Sequence, residues 1–207
     1  MLSEDRIRRQ MVQIASRMSE KGFISGFAGN LSARLDDGSI LVTPAGTCKG
    51  DLTPEQLIVL DLQGKKISAL PGLNPTSELL MHLEIYQRRA DIGAVIHAHP
   101  VACVALSLVG IGLDKPLIPE VIVMLGIVPT VPYATPSTGE CREVISPVID
   151  EHNAIILAHH GSLTVGRDLL EAYYRLEILE HTARTVALAH QLGEPRFLTK
   201  KDLKKLS

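Results

Sequence analysis

AVIHAHPV, residues 94–101, begins as the apolar run Ala94, Val95, Ile96, sets His97 and His99 one residue apart, and stops at Pro100. Alternate residues of a strand point to the same side, so the two imidazoles stand side by side. The apolar run marks a buried strand and the proline its end, and strand ends are where α/β folds place ligands. Two histidines bonded to backbone would explain the pair if it stood alone. A second apolar run, AIILAHHG at 154–161, also ends in histidine. Neighbouring strand residues face opposite sides, so one of His159 and His160 is a candidate third ligand and the other its neighbour. Three neutral imidazoles suit Zn²⁺ with a further position open to substrate. Cobalt, manganese and iron accept the same donors.

NPTSELLMHLEIY, residues 74–86, predicts a helix from about Thr76 to Arg89. Glu78 falls in its first turn, where negative charge is favoured, and His82 one turn later on the same face. Beside the histidines Glu78 gains a functional reading, whereas His82 reads as a packed histidine. Three short segments offer donors to an anion: Gly29-Asn30-Leu31-Ser32, Thr43-Pro44-Ala45-Gly46 and Thr76-Ser77. Glycines permit close backbone approach, and hydroxyls, amides and N–H groups donate to phosphate oxygens. Each segment alone is ordinary turn chemistry. Together with the histidines they describe a metal site beside a phosphate site.

The rest of the chain frames these motifs. Ile7, Met11, Ile14, Ala15 and Met18 share a face of a helix over 4–21 that Ser3 can cap. Leu31, Ala33 and Leu35 alternate in a strand, Asp36-Asp37-Gly38 turns it, and SILVT returns. LIVLDL (57–62) and AIILAHHG with SLTVG are further strands, and VPTVPYATPST holds a short one. Helices follow over 101–108, over GECREVISPVIDEHN with a break at Pro147, and over 168–192. The last begins with a capping box of Asp168 and Glu171 and ends at Gly193. The basic tail KKDLKKLS reads as loosely held. Interleaved strands and helices with hairpins predict one domain over 1–207, a mixed sheet with helices on both faces.

Composition narrows the function. The 207 residues are 45% hydrophobic but only 3% aromatic with no Trp, which leaves little for base stacking, and the net charge of -2 argues against a nucleic-acid binder. Cys48, Cys103 and Cys141 form no CxxC, so neither a zinc knuckle nor a disulfide framework is expected. No apolar run reaches a membrane span and no signal peptide is visible at the N-terminus. A cytoplasmic protein is the expectation.

GFAGNLS, LVTPAG, NPTSELLMH, AVIHAHP, YATPST and LAHHG occur in one order, and that order resembles the class II aldolase/adducin-head family, most nearly its L-fuculose-1-phosphate aldolases. The resemblance covers about residues 5–193. It implies a three-layer α/β/α fold with a mixed, largely antiparallel central sheet, in a homotetramer with active sites at subunit interfaces. It implies that His97, His99 and His160 bind zinc and that Glu78 is the acid/base and a resting metal ligand. Asn30, Thr43, Gly46, Thr76 and Ser77 would then hold the phosphate of a small sugar phosphate.

The chain departs from those aldolases at the aldehyde end. Phe27 stands where they carry a hydroxyl, Val123 stands near where they place a tyrosine, and the tail FLTKKDLKKLS lacks their second tyrosine. Glu120 is an ionisable residue near that region. The first expectation is a zinc-dependent aldolase that cleaves a ketose 1-phosphate to dihydroxyacetone phosphate and an aldehyde. A decarboxylase of 3-oxotetronate 4-phosphate and a methylthioribulose-1-phosphate dehydratase are the alternatives, with a non-catalytic adducin-like module behind them.

Overall fold

The computed structural model describes residues 3–206; Met1, Leu2 and Ser207 of the expected 1–207 span lie outside it. Asn30–Arg34 (β1), Ile40–Val42 (β2), Ile58–Leu60 (β3), Lys66–Ser68 (β4), Ala94–Ala98 (β5), Thr130–Val131 (β6), Ala154–Leu157 (β7) and Gly161–Gly166 (β8) form one eight-stranded sheet. Its order is β4-β3-β2-β1-β5-β8-β7-β6. Among the described residues every pairing is antiparallel except β6 with β7.

Alternation assigns the two faces. Leu31, Ala33, Leu41, Val59, Ala94, Ile96 and Ala98 pack on Glu4–Glu20 (α1) and Leu169–Leu192 (α6). Ile40, Val42, Ile58, Leu60, Val95, Leu163 and Val165 pack on Leu79–Arg88 (α2) and Gly139–Ile145 (α5). Ala154 and Ile156 extend the first face under Val101–Leu108 (α3) and Pro119–Met124 (α4). This is the expected three-layer α/β/α arrangement. No described helix is long and apolar enough to cross a membrane.

Local differences have physical causes. The helix expected from Thr76 starts at Leu79, because the Thr76 N–H is taken by the Thr43 carbonyl and its hydroxyl accepts from Glu78 N–H. Glu78 is therefore the residue before the helix and makes no capping bond of its own. Ser3 likewise occupies the N-cap position without a side-chain bond. Asp168 does cap α6, but Glu171 reaches back to the Arg167 N–H, so the box is displaced by one residue. Part of the basic tail is helical: Thr199 and Asp202 form a capping box on Lys200–Leu203 (α7), which has no buried residue. Strand β4 and helix α4 are not expected from the sequence, both being short, and β4 being exposed along its whole length.

The α3 N-terminus has no capping side chain of its own, and Glu180 supplies one from α6. Its carboxylate accepts from Ala102 and Cys103 N–H at 3.1 Å, satisfying two helix-end donors that would otherwise be buried unpaired. Helix α3 is thereby fixed just beyond the end of β5.

Gly93 shows how tightly β5 is seated. It exchanges backbone bonds with Arg34 and Gly166, and a Cβ there would overlap the Arg167 carbonyl. Gly93→Ala is expected to cost about 1–3 kcal/mol through overpacking, read as a lower urea midpoint at unchanged slope. Gly139→Ala, which meets nothing within 4 Å, should leave the midpoint level or raise it.

Candidate metal centre and anion cradle

Three strands end at one place. His97 is the fourth residue of β5 and has no exposed surface. Its Nδ1 donates to the Ser162 carbonyl at 3.0 Å, which turns Nε2 toward the centre, as a second-shell carbonyl does for a ligating histidine. His99 follows the strand end, fixed by its own N–H on the Phe23 carbonyl. Its Nε2 lies 2.9 Å from His97 Nε2. The expectation that residues two apart share a side therefore holds although His99 has left the strand.

His160 arrives differently from the expectation. His159 and His160 are not strand residues but lie in the turn between β7 and β8, and His159 has φ of 59°. That left-handed residue, not strand alternation, separates the two side chains. His160 joins His97 and His99 with ring centroids 4.8 and 5.0 Å away, while His159 stacks edge-on against Tyr133. The turn closes against β5 so closely that a Cβ on Gly161 would overlap the Ala98 carbonyl and lie 2.8 Å from the His99 ring.

Glu78 completes the group. Its Oε2 is 3.1 Å from His97 Nε2 and its Oε1 3.3 Å from His160 Nε2. Ligand atoms of Glu78, His97, His99 and His160 all lie within 4.8 Å of one another. Glu78 Oε1 is buried with no hydrogen-bond partner, a costly state for a carboxylate oxygen. Three imidazole nitrogens converging on an orphaned anionic oxygen form a donor set that fits a divalent cation.

Electrostatics point the same way. Burial pushes His99 and His160 down to about 4, and repulsion from His97 adds to it against the pull of Glu78. Both thus present neutral rings near pH 7. Burial alone would raise Glu78, but the His97 bond and charge, the His160 charge and the Asn30 amide outweigh it and bring it to about 2.

The segments expected to hold an anion meet beside this centre. Pro44 and Pro75 form a backbone bridge, flanked by Ala45 N–H on the Asn74 carbonyl and Thr76 N–H on the Thr43 carbonyl. Gly46, at φ of 67°, faces open space, and the exposed Ser77 hydroxyl accepts from Ser137 at 2.8 Å. The other three point inward. Thr43 is fully buried and accepts from Leu31 N–H, Thr76 accepts from Glu78 N–H, and the Asn30 amide is held by Glu78 and His82.

Lys49 was not anticipated. It is 2% exposed. Its ammonium donates to the Phe27 and Thr47 carbonyls, tying the chain just before Gly29 to the chain just after Gly46, and burial lowers its pKa. Ser137 also went unnoticed, its φ of 64° invisible in YATPST. Phe27 and Val123 are exposed, and Glu120 lines a groove of about 760 Å³ with Lys21 and His181 rather than joining the four ligands.

Known proteins place this geometry in context. The sequence profile of the class II aldolase and adducin N-terminal domain matches residues 9–187. The chain is 37% identical over 212 residues to a 3-oxo-tetronate 4-phosphate decarboxylase of Pectobacterium atrosepticum, covering 99% of this chain and 94% of that one. It is 36% identical over 178 residues to an L-fuculose phosphate aldolase of Methanococcus maripaludis, covering 84% and 93%. The crystal structure of YgbL from Klebsiella pneumoniae superposes with a TM-score of 0.91 at 35% identity over 100% of both chains.

Two outcomes follow. His160→Ala should lose bound metal far more severely than His159→Ala; equal metal content in the two purified variants would remove His160 from the ligand set. The metal-free protein should lose stability steadily as pH falls from 7 to 5. The buried His82, pushed down to about 3 mainly by desolvation, joins His99 and His160 in staying neutral while the unfolded chain takes up protons below about 6.5. The stability present above that value drains away on acidification, His82 alone adding a slope of about 1.4 kcal/mol per pH unit. Glu78 is ionised in both states across most of this window and enters only nearer pH 4. A thermal midpoint that is flat between pH 7 and 5 in chelator-treated protein would contradict this.

Proposed function

The chain belongs to the family of class II aldolase and adducin N-terminal domains, and from that premise we propose that it is a zinc-dependent decarboxylase of 3-oxo-tetronate 4-phosphate, acting as one domain over 1–207 and releasing CO₂ and dihydroxyacetone phosphate. The family is metal-dependent, and the His97, His99, His160 and Glu78 group is where the ion would be held. An ion there would supply Lewis acidity at the substrate's carbonyl oxygen.

The observation that carries this reading is what the chain lacks at the leaving-group end. Decarboxylation of a 3-oxo acid and retro-aldol cleavage of a ketose 1-phosphate both leave an electron pair on the carbon beside the carbonyl, and both yield dihydroxyacetone phosphate. They differ in what departs. An aldehyde leaves only as its hydroxyl gives up a proton, so a base is needed there. CO₂ leaves from an ionised carboxylate with no such transfer. Val123, 64% exposed, carries no group for that proton where the aldolases place a tyrosine. The identity to decarboxylases along nearly the whole chain supports the same choice. The aldolase, expected first from the sequence, becomes the second reading, favoured by Glu78 and the aldolase relatives.

In the proposed reaction the C1–C2 bond breaks, CO₂ departs, and the electron pair is delocalised toward the C3 carbonyl oxygen. Glu78, loaded with a proton from water, delivers it to C2, so one proton is consumed overall. Gly46 and Ser77, with Asn30, Thr43 and Thr76 shaping the cradle behind them, hold the phosphate and fix C2 against Glu78. We further propose a cytoplasmic homotetramer with its sites at subunit interfaces. The exposed Val101, Leu108, Val109, Val123 and Met124 of α3, α4 and their margins support subunit contact there. The intact four-ligand group speaks against a non-catalytic module.

The deciding assay offers 3-oxo-tetronate 4-phosphate, L-fuculose 1-phosphate and L-ribulose 1-phosphate to the same preparation. Expected are chelator-sensitive, Zn²⁺-restored CO₂ release from the first and little dihydroxyacetone phosphate from the others; the reverse ranking would establish the aldolase. Glu78→Gln should keep its metal while kcat falls on the order of 10²- to 10⁴-fold. Near-normal turnover would mean that another group moves the proton.

A further inference from the structure

Five polar side chains run in a line between α2 and β1, where the flanking core is apolar. Glu78, His82 and Tyr86 are spaced by four, one stripe along α2 and the residue before it. Asn30 and Ser32 are spaced by two, one face of β1. Tyr86 Oη lies 2.9 Å from Ser32 Oγ, Ser32 Oγ 2.6 Å from His82 Nδ1, and His82 Nε2 2.5 Å from Asn30 Oδ1. Asn30 Nδ2 donates to Glu78 Oε2 at 2.9 Å. Asn30, Ser32, His82 and Tyr86 are each at most 3% exposed.

The directions of these bonds follow from the carboxylate. Glu78 can only accept, so the amide nitrogen of Asn30 faces it and the amide oxygen faces His82. His82 must then donate from Nε2, which leaves Nδ1 as acceptor for the Ser32 hydroxyl. The Ser32 oxygen in turn accepts from Tyr86. Every donor in the line points toward Glu78, and each bond removes an alternative orientation from the next group.

We propose that His82 is a positioning residue for Glu78: through Asn30 it fixes the amide that grips Glu78 Oε2, so that Oε1 alone is presented to the metal and substrate. The inference rests on Glu78 as the proton carrier. A buried polar line could instead merely satisfy its own groups. The two differ in what happens when the donor alone is removed. His82→Phe keeps volume but cannot donate to Asn30; His82→Gln keeps a donor at nearly the same place.

The test joins a spectroscopic and a kinetic arm. In wild type, ¹⁵N shifts should show His82 protonated at Nε2 only, with and without Zn²⁺, and slowly exchanging Asn30 side-chain amide protons. In folded His82→Phe that protection should be lost, and in His82→Gln retained. The opposite tautomer, or unchanged Asn30 protection in the Phe variant, would overturn the proposal. With metal content equal to wild type, kcat for CO₂ release should fall on the order of 10- to 100-fold in His82→Phe at nearly constant KM, and recover in His82→Gln. A Phe variant of lowered melting temperature but wild-type kcat would reduce the line to a structural role. If wild type turns over no offered substrate, the reading of the reaction fails, while the spectroscopic arm still decides whether His82 sets the amide.

Discussion

A carboxylate held between a helix and a sheet, with one oxygen gripped and the other unpartnered, is the constraint around which the site is arranged. Burying such a group uncompensated is costly. Here the compensation comes from two rings, His97 on β5 and His160 in the β7–β8 turn, and from an amide on β1. None of these elements can shift without the others. A one-residue slip of β1 against β5 would turn Asn30 away from His97, with which it is paired in register, and put Leu31 in its place.

The helix start belongs to the same constraint. Glu78 faces the rings because α2 begins one residue after it, and α2 begins there because Thr76 is bound to the Thr43 loop. The segment that shapes the anion cradle is thus also the segment that aims the carboxylate. Lys49 reinforces this by holding the Phe27 and Thr47 carbonyls together from beneath. The two ends of a substrate would meet surfaces fixed by a shared set of backbone bonds, a geometry suited to orienting one small molecule.

Much of this was legible in the sequence, for reasons that differ residue by residue. His97 and His99 were legible because strand alternation is local and the apolar run declares it. Leu31, Ala33 and Leu35 were legible for the same reason, and so was the sheet they belong to. His160 was narrowed to one of two, but on an argument that does not apply to a turn, since a positive φ at histidine leaves no mark in the sequence. Asn30 was seen as an anion donor, whereas its amide is committed to Glu78 and His82. His82 was read as packed. Its partners lie about fifty residues away on β1, and only knowing that β1 runs beneath α2 makes N-x-S and E-x3-H-x3-Y one pattern.

The bridge between Pro44 and Pro75 joins two loops outside the strands and apart from α4, where Val123 stands. In the proposed reading, the phosphate end would be recognised by backbone held beside the sheet, and the departing fragment would be met by residues of a short peripheral helix. Descendants of such a chain can exchange one leaving group for another by drift in a few peripheral side chains, with the phosphate grip and the ligand set inherited whole. Divergence of chemistry then outpaces divergence of fold, and relatives equally similar in sequence carry different reactions.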